Sequence, residues 1–401
     1  MRKVQKYKDL TLNIITGFLS SIGILILGAL LVFIFSNGWK TLSFDLLVSD
    51  YHEKVYNTKI TEDIIFRDYE DPNLKTGYFS PKWGIVLDDV VNKVGNTDVV
   101  ITYIDKQSPL LNMNDSNSNQ YVRITEGHII NRVFLNDEDG NLIIGLAKEG
   151  AEKLRNDFET GTVITDFITS TPSGGIRGSL ITTFYLIILT LVIALPLGVG
   201  GAIYLHEFAK ENRFTNTIRT MIDMTAGIPS IIFGFVGALV FIPFMNATIG
   251  SNGGSIASGA LTLTIILLPV IIKTTEEALR VIPSSYRAAS LALGASETQT
   301  TFKVVLPNAI SGILTATILS IGRIIGESAA LIYAIGTVIK DNISINDKST
   351  SLAVHIWSVM SGENPNFELA SAISIIILII VLLLSISVKV IGKKLNRFEV
   401  R

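Results

Sequence analysis

Pro-Ser-Ser-Tyr-Arg-Ala-Ala-Ser-Leu-Ala-Leu-Gly-Ala-Ser-Glu-Thr-Gln-Thr-Thr-Phe-Lys-Val-Val-Leu-Pro, residues 283–307, is a polar stretch between long apolar segments. Pro283 suits a helix start, where its missing N–H is not needed. Ala288, Ala289, Leu291 and Ala292 favour helix. Gly294 supplies the permissive backbone of a break. Ser296 with Gln299 forms a capping-box pattern for a second helix, and Pro307 marks a turn towards the next apolar run. The pattern predicts two short helices joined at Gly294. Such a pair, wedged between membrane-length runs, reads as a handle for a soluble partner.

Working outward, 48% of the 401 residues are hydrophobic and 17% are charged. Soluble domains carry about 25% charge. A helix needs roughly 20 apolar residues to cross a bilayer. Runs of that kind are Ile14–Phe35, Leu180–Leu205, Met221–Phe244, Ala257–Lys273, Ala309–Ile339 and Leu369–Ile391. They are continuous rather than alternating, which argues against a β-barrel. The first is long for a signal segment and lacks a small-residue cleavage site after it. The expected fold is therefore an all-α polytopic membrane protein of about six transmembrane helices, with a mixed α/β insert between the first two. The absence of cysteine excludes disulfides, thiolate metal sites and cysteine nucleophiles.

The expected organisation is a first segment (1–37), an insert domain (38–176) and a five-helix core (177–401) that includes the loop 274–307. The insert carries 13 Lys and Arg against 22 Asp and Glu, a net of −9, which leaves +7 for the rest of a chain whose total is −2. Arg2, Lys3, Lys6 and Lys8 precede the first span, and Lys389, Lys393, Lys394, Arg397 and Arg401 lie at or beyond the end of the last. Basic residues at span ends mark the cytoplasmic face. Both termini and the loop are thus expected inside, and the insert outside. Strand-like runs in the insert are Val99–Ile104, Tyr121–Ile124, Ile129–Leu135, Asn141–Gly145 and Thr162–Thr165, with a short helix over Leu146–Phe158. Asn136–Asn141 reads as a hairpin turn. As a calcium loop it would put Ala147 or Lys148 where a bidentate Glu is required. Ser170–Gly175 reads as a flexible hinge.

The order Ala288-Ala289-Ser290, then Gly294, then Val304-Val305-Leu306-Pro307 resembles the Glu-Ala-Ala loop of ABC-importer permeases. The chain departs from it at Ala288, where Glu is usual, and at Ser290; Arg287 is available to bring charge to the contact instead. Gly174-Gly175-Ile176, Ile181-Thr182-Thr183, Ala194–Gly200, Ala226–Gly234 and Gly322–Ala330 extend the likeness. Together they resemble phosphate-specific importer permeases of the PstA type over about residues 174–392 and the first span. The resemblance implies a multi-pass subunit of the cell membrane in contact with lipid. It further implies a second, homologous permease subunit, two ATPase subunits that bind the ATP, and an extracytoplasmic phosphate-binding protein. It assigns residues 287–307 to ATPase coupling.

Arg323 and Glu327 stand in an otherwise apolar run, where an ionisable group costs roughly 2.5–3.5 kcal/mol. Their i, i+4 spacing puts both on one helix face. They read as a structural ion pair or as an anion path. Arginine's permanent charge and planar fork suit phosphate oxygens, and the resemblance favours the path. Arg219 and Asp223, also i, i+4, read as a pathway pair or, narrowly preferred, a structural one. Pro196, Pro229 and Pro269 are expected to interrupt spans, and Gly198, Gly200, Gly201, Gly234 and Gly237 to permit close helix approach.

The sequence holds no G-x-x-x-x-G-K-[ST], G-x-S-x-G or H-E-x-x-H, and its histidines (His52, His128, His206, His355) are scattered. This predicts no catalytic residues, no metal, no cofactor in the chain and no nucleic-acid partner. An acidic insert repels a free anion, which fits docking of a binding protein or packing on the partner permease. The alternatives are a permease for sulfate, molybdate or phosphonate and, from another class, a membrane-anchored sensor.

Overall fold

The computed structural model describes residues 2–60, 67–72, 74, 76–91, 97–116, 120–171, 174–362 and 365–395. Pro172 and Ser173 of the expected hinge, and Arg397 and Arg401 of the basic terminus, lie outside these. The chain divides into a unit of residues 1–48 and 176–401 and a second unit of residues 49–175.

The first unit opens with α1 (Arg2–Gly38) and the short α2 (Phe44–Val48). The second unit is built on a sheet whose strands are β1 (Val55–Lys59), β2 (Tyr78–Ser80), β3 (Ile85–Val91), β4 (Thr97–Ile104), β5 (Asn112–Asp115), β6 (Tyr121–Arg123), β7 (Ile129–Asn136), β8 (Leu142–Leu146) and β9 (Val163–Ser170). They run in the order β2-β3-β4-β7-β9-β1-β5-β6, with β8 paired to β7, and every pairing is antiparallel. Alternating residues place Val99, Ile101, Ile130, Val133, Leu135 and Phe167 in one core. Helix α3 (Ala151–Thr160) closes that core with Leu154 and Phe158. Trp83 packs edge-on to Phe158 and donates its indole N–H to the Phe158 carbonyl at 2.6 Å, which satisfies the one polar group on a buried ring.

The expected strands are all present; the expected helix starts later than Leu146, which ends β8, because a 3-10 turn (Ala147–Glu149) and Gly150 at φ +90° precede α3. β1, β2, β3 and β5 are additions, and β9 runs on to Ser170. The acidic hairpin is a turn held by Asp137, whose carboxylate accepts from the N–H groups of Asp139 and Asn141 and from the Asn141 side chain. Those donors hold its pKa below the usual carboxylate value.

The first unit continues with α4 (Arg177–Ile203), prolonged by a π-turn to Phe208, then α5 (Arg213–Thr225), α6 (Ser230–Val236), α7 (Ile242–Ile249) and α8 (Ile256–Arg280). It ends with α9 (Ser284–Ala292), α10 (Glu297–Thr300), α11 (Leu306–Gly326), α12 (Ala329–Ala334), α13 (Leu352–Met360) and α14 (Phe367–Leu395). Among the described residues six helical stretches are long and apolar enough to cross a membrane: Thr11–Thr41, Arg177–Phe208, Ser230–Ile249, Ile256–Arg280, Glu297–Gly326 and Phe367–Ile391.

Four of the expected spans are corrected. Met221 belongs to α5, a separate amphipathic helix, and the third span begins at Ser230 after the break at Pro229. The run Ala309–Ile339 is not one helix, because α11 stops at Gly326. Pro196 and Pro269 do not interrupt their spans, since α4 and α8 run through them.

Helix α8 lies at the centre of this unit. Leu263, Leu267 and Ile271 are fully buried against α4. A Cβ at Gly198 would stand 2.6 Å from the Ile271 side chain, so this glycine sets the helix separation. Ser255 and Ser258 form a reciprocal capping box at the start of α8. The Ser258 hydroxyl also donates to the Ala334 carbonyl at 2.7 Å, tying α8 to the end of α12.

Candidate transport path and coupling loop

The loop 283–307 forms as the sequence dictates in its first half. Pro283 caps α9, and Gly294 takes φ +84° with open space around it. Ser296 and Gln299 exchange hydrogen bonds of 3.2 and 3.1 Å as a capping box. The second half differs. Helix α10 does not end but passes through a π-turn, Thr301–Val305, into α11. Pro307 therefore lies inside a continuous helix; the wider turn before it absorbs the hydrogen bond proline cannot make. The loop is one short helix joined to the foot of a membrane span, and Leu306 is the first residue of α11.

Residues of α9 lie open. Tyr286 and Leu291 are exposed, and Leu293, just beyond the helix end, is 90% exposed. Ala288 and Ala289 line the same helix, and Ser290 meets the Thr300 hydroxyl at 2.9 Å. Arg287 is the exception. Its guanidinium grips Glu207, Nη2 to Oε1 at 2.6 Å and Nε to Oε2 at 3.2 Å, and donates to the carbonyls of Ile282 and Leu279. It is committed within the chain and does not carry its charge outward. Glu207 was not singled out from sequence: the two residues are 80 positions apart, and no local spacing links them.

Arg323 and Glu327 are close in the chain but not stacked on one helix face. Arg323 lies in the last turn of α11, and Glu327 follows its end with φ −78° and ψ 120°, an extended conformation. The turn that would put one carboxylate over the guanidinium does not exist. Instead Glu327 Oε1 accepts from the Ala330 N–H at 3.2 Å, at the start of α12. A carboxylate there satisfies one of the donors a helix start leaves open. Gly326 weakens the helix at this point, and Glu327 offers its backbone an alternative. Both charged side chains are half-buried. Helix α12 is held close to α6: a Cβ at Gly234 would come within 2.9 Å of the Ala330 Cα, and Phe235 stacks on Tyr333 at 4.7 Å.

Arg219 and Asp223 do not pair with each other either. Arg219 faces Glu276 (3.5 Å) and donates to the Leu205 carbonyl (2.7 Å), while Asp223 binds Lys273 at 2.8 Å. The i, i+4 spacing holds on α5, but each residue finds its counter-charge on α8, where Lys273 and Glu276 are one turn apart in the reverse order. The groups line a cavity of about 220 Å³ with Ile222, Glu277 and Arg280. Three cations and three carboxylates surround it, a balance that suits a structural clasp better than an anion site. Lys273 and Glu276, like Glu207, were not singled out from sequence.

Residues 194–398 match the family described as the binding-protein-dependent transport system inner membrane component. A probable ABC transporter permease protein, YqgI of Bacillus subtilis, is 40% identical over 211 residues, covering 48% of this chain and 70% of that one. The phosphate transport system permease protein PstA of Mycobacterium leprae is 33% identical over 196 residues, 49% of this chain and 62% of that one. The matched stretch thus spans less than two thirds of the latter relative. Among solved structures, an inward-facing MetNI methionine ABC transporter is similar at 25% identity and a TM-score of 0.43, covering 55% of this chain and 96% of that one. The six apolar helices and the family match agree: the chain belongs to the binding-protein-dependent transport system inner membrane components, the permeases of ABC transporters.

Proposed function

We propose that this permease imports inorganic phosphate by alternating access, with Arg323 and Glu327 at the substrate path. One observation carries the reading: an arginine and a glutamate flank a helix break inside an otherwise apolar segment. A break frees backbone groups and is tolerated at membrane depth only where protein or a watery cavity receives them. Ionisable groups at such depth belong to pathways more often than to packing. Arg323 supplies a permanent positive charge whose fork matches phosphate oxygens. Glu327, which caps α12, fixes the geometry of the break. The likeness to permeases of the PstA type points to phosphate as the anion.

In this reading both termini and residues 283–307 face the cytoplasm, and residues 49–175 face outward. A second, homologous permease completes the pore, two ATPase subunits bind the ATP, and an external binding protein delivers phosphate. Closure of the ATPase pair displaces the loop, where Ala288, Ala289, Ser290 and Gly294 form the contact and Leu306 and Pro307 lead into α11. The two states must differ in their contacts at the loop for ATP to bias one over the other.

Uptake of labelled phosphate by membranes with and without this subunit tests the proposal. Loss of uptake in Arg323→Gln, with the subunit still inserted, supports it. Uptake unchanged by that substitution, or sulfate or molybdate carried in place of phosphate, sinks the phosphate reading. A charge placed at Ala289 tests the loop separately, since undiminished uptake there would exclude docking at this face.

A further inference from the structure

Helix α9 has no buried residue of its own. Among the described residues, its side-chain hydrogen bonds run from Ser290 and Arg287. The Ser290 bond goes to Thr300, on the other arm of the same loop. Arg287 alone of the two reaches outside it. Its partner Glu207 stands at the end of the π-turn that closes α4, with a side chain only 9% exposed. Its remaining donors take the carbonyls of Leu279, in the last turn of α8, and Ile282 just beyond it, at 3.1 and 3.0 Å.

One guanidinium therefore joins three elements: the exposed helix α9 and the ends of α4 and α8, the pair of spans that share the core of this unit. Four directed bonds from a planar fork fix both distance and angle; a lysine ammonium could replace the charge but not the bidentate grip. Helix α9 is otherwise held by the chain on either side, by the Ser290–Thr300 bond and by packing on the Thr301–Val305 turn that leads into α11. Without the clip, a push on α9 would pass to α11 but lose its directed link to α4 and α8.

We propose that Arg287 and Glu207 are positioning residues for coupling, making α9, α4 and α8 move as one body when the loop is displaced. The inference rests on the reading of residues 283–307 as the ATPase contact. Glu207 is remote from the exposed side of α9, so it acts through Arg287 and not by touching a partner.

The test uses the complete importer in proteoliposomes, reading three quantities: co-purification of the ATPase subunits, ATP hydrolysis, and phosphate taken up per ATP. Glu207→Gln keeps the shape of the side chain and removes its charge. The expected result is ATPase subunits bound as in the parent and uptake per ATP reduced about tenfold, the size of a typical coupling between two sites. Arg287→Lys is expected to fall between the parent and Glu207→Gln, and Glu207→Asp to recover most of the ratio. A parent-like ratio in Glu207→Gln overturns the proposal. So does loss of the ATPase subunits in step with uptake, which would make the pair a support for folding or docking only. If the parent complex itself retains no ATPase subunit through this loop, the underlying reading fails, which the co-purification arm records separately.

Discussion

Arg219/Asp223 and Arg323/Glu327 have the same spacing, opposite charges four positions apart in predominantly helical sequence, yet the structure treats them differently. On α5 the helix persists, both residues lie on one face, and that face is turned to α8, whose Lys273 and Glu276 offer nearer counter-charges. At the end of α11 the helix stops between the two members, and Glu327 turns to the Ala330 N–H at the start of α12. Spacing on a helix states which residues can meet. Which ones do meet depends on whether the helix continues and on what a neighbouring helix presents. The first pair became a clasp between helices, the second a broken turn with an arginine on one side and a capping carboxylate on the other.

The largest expected effect separates the two. Arg323→Gln should reduce phosphate uptake about 30- to 160-fold, the worth of a charge-assisted contact of roughly 2–3 kcal/mol, while Arg219→Gln leaves uptake within a few-fold of the parent. Equal losses in the two variants would erase the distinction. Next in size, Arg219→Met leaves the largely buried Glu276 without its cation. Thermal unfolding in detergent should then show a loss of about 1–3 kcal/mol. No measurable change would mean that water already serves Glu276.

A smaller effect is expected at the other half of the clasp. Lys273 and Asp223 are both substantially exposed, so Lys273→Ala should cost no more than about 1 kcal/mol. The exchange Asp223→Lys with Lys273→Asp should restore most of that stability; failure to restore it would show that the pair does not act as a pair.

At neutral pH the smallest effect belongs to His355, where the fold excludes charge instead of using it. This side chain is fully buried beside Ser179, 2.8 Å from its hydroxyl, and burial lowers its pKa from 6.5 to about 4, against a weaker upward pull from Asp341. The unfolded chain takes up the proton first as pH falls. The contribution of neutral His355 is therefore complete above about pH 6.5 and declines as pH drops towards 4. Melting temperatures across that range should fall in the parent and flatten in His355→Gln. Parallel curves would remove the histidine from the account.

The loop 283–307 and the insert show why parts of this structure were legible in the sequence. Pro283, Gly294 and the Ser296–Gln299 box act through bonds to residues three or four positions away, so their pattern suffices to place α9 and the start of the next helix. The alternation in Val99–Ile104 and Ile129–Leu135 likewise announces strands with one buried face. Weaker stretches such as Asn112–Asp115 become strands by pairing with β1 and β6, partners far along the chain or selected by the sheet. The π-turn at Thr301–Val305 was hidden because Pro307 resembles an ordinary terminator; only the packing that keeps α10 and α11 in one line makes a wider turn preferable to a break.

The sequence by itself determined the class of the molecule, the apolar runs that supply its membrane-length helices, the insert and the first half of the loop, because apolar length, helix caps and strand alternation are local quantities. Tertiary structure alone decided the partners of the charges. Arg287 meets Glu207 across 80 positions, Arg219 meets Glu276 across 57, and Glu327 leaves Arg323 for the start of another helix. A charge in a low-dielectric surrounding takes the nearest well-placed partner that the packed helices present, and nearness of that kind is created by the fold.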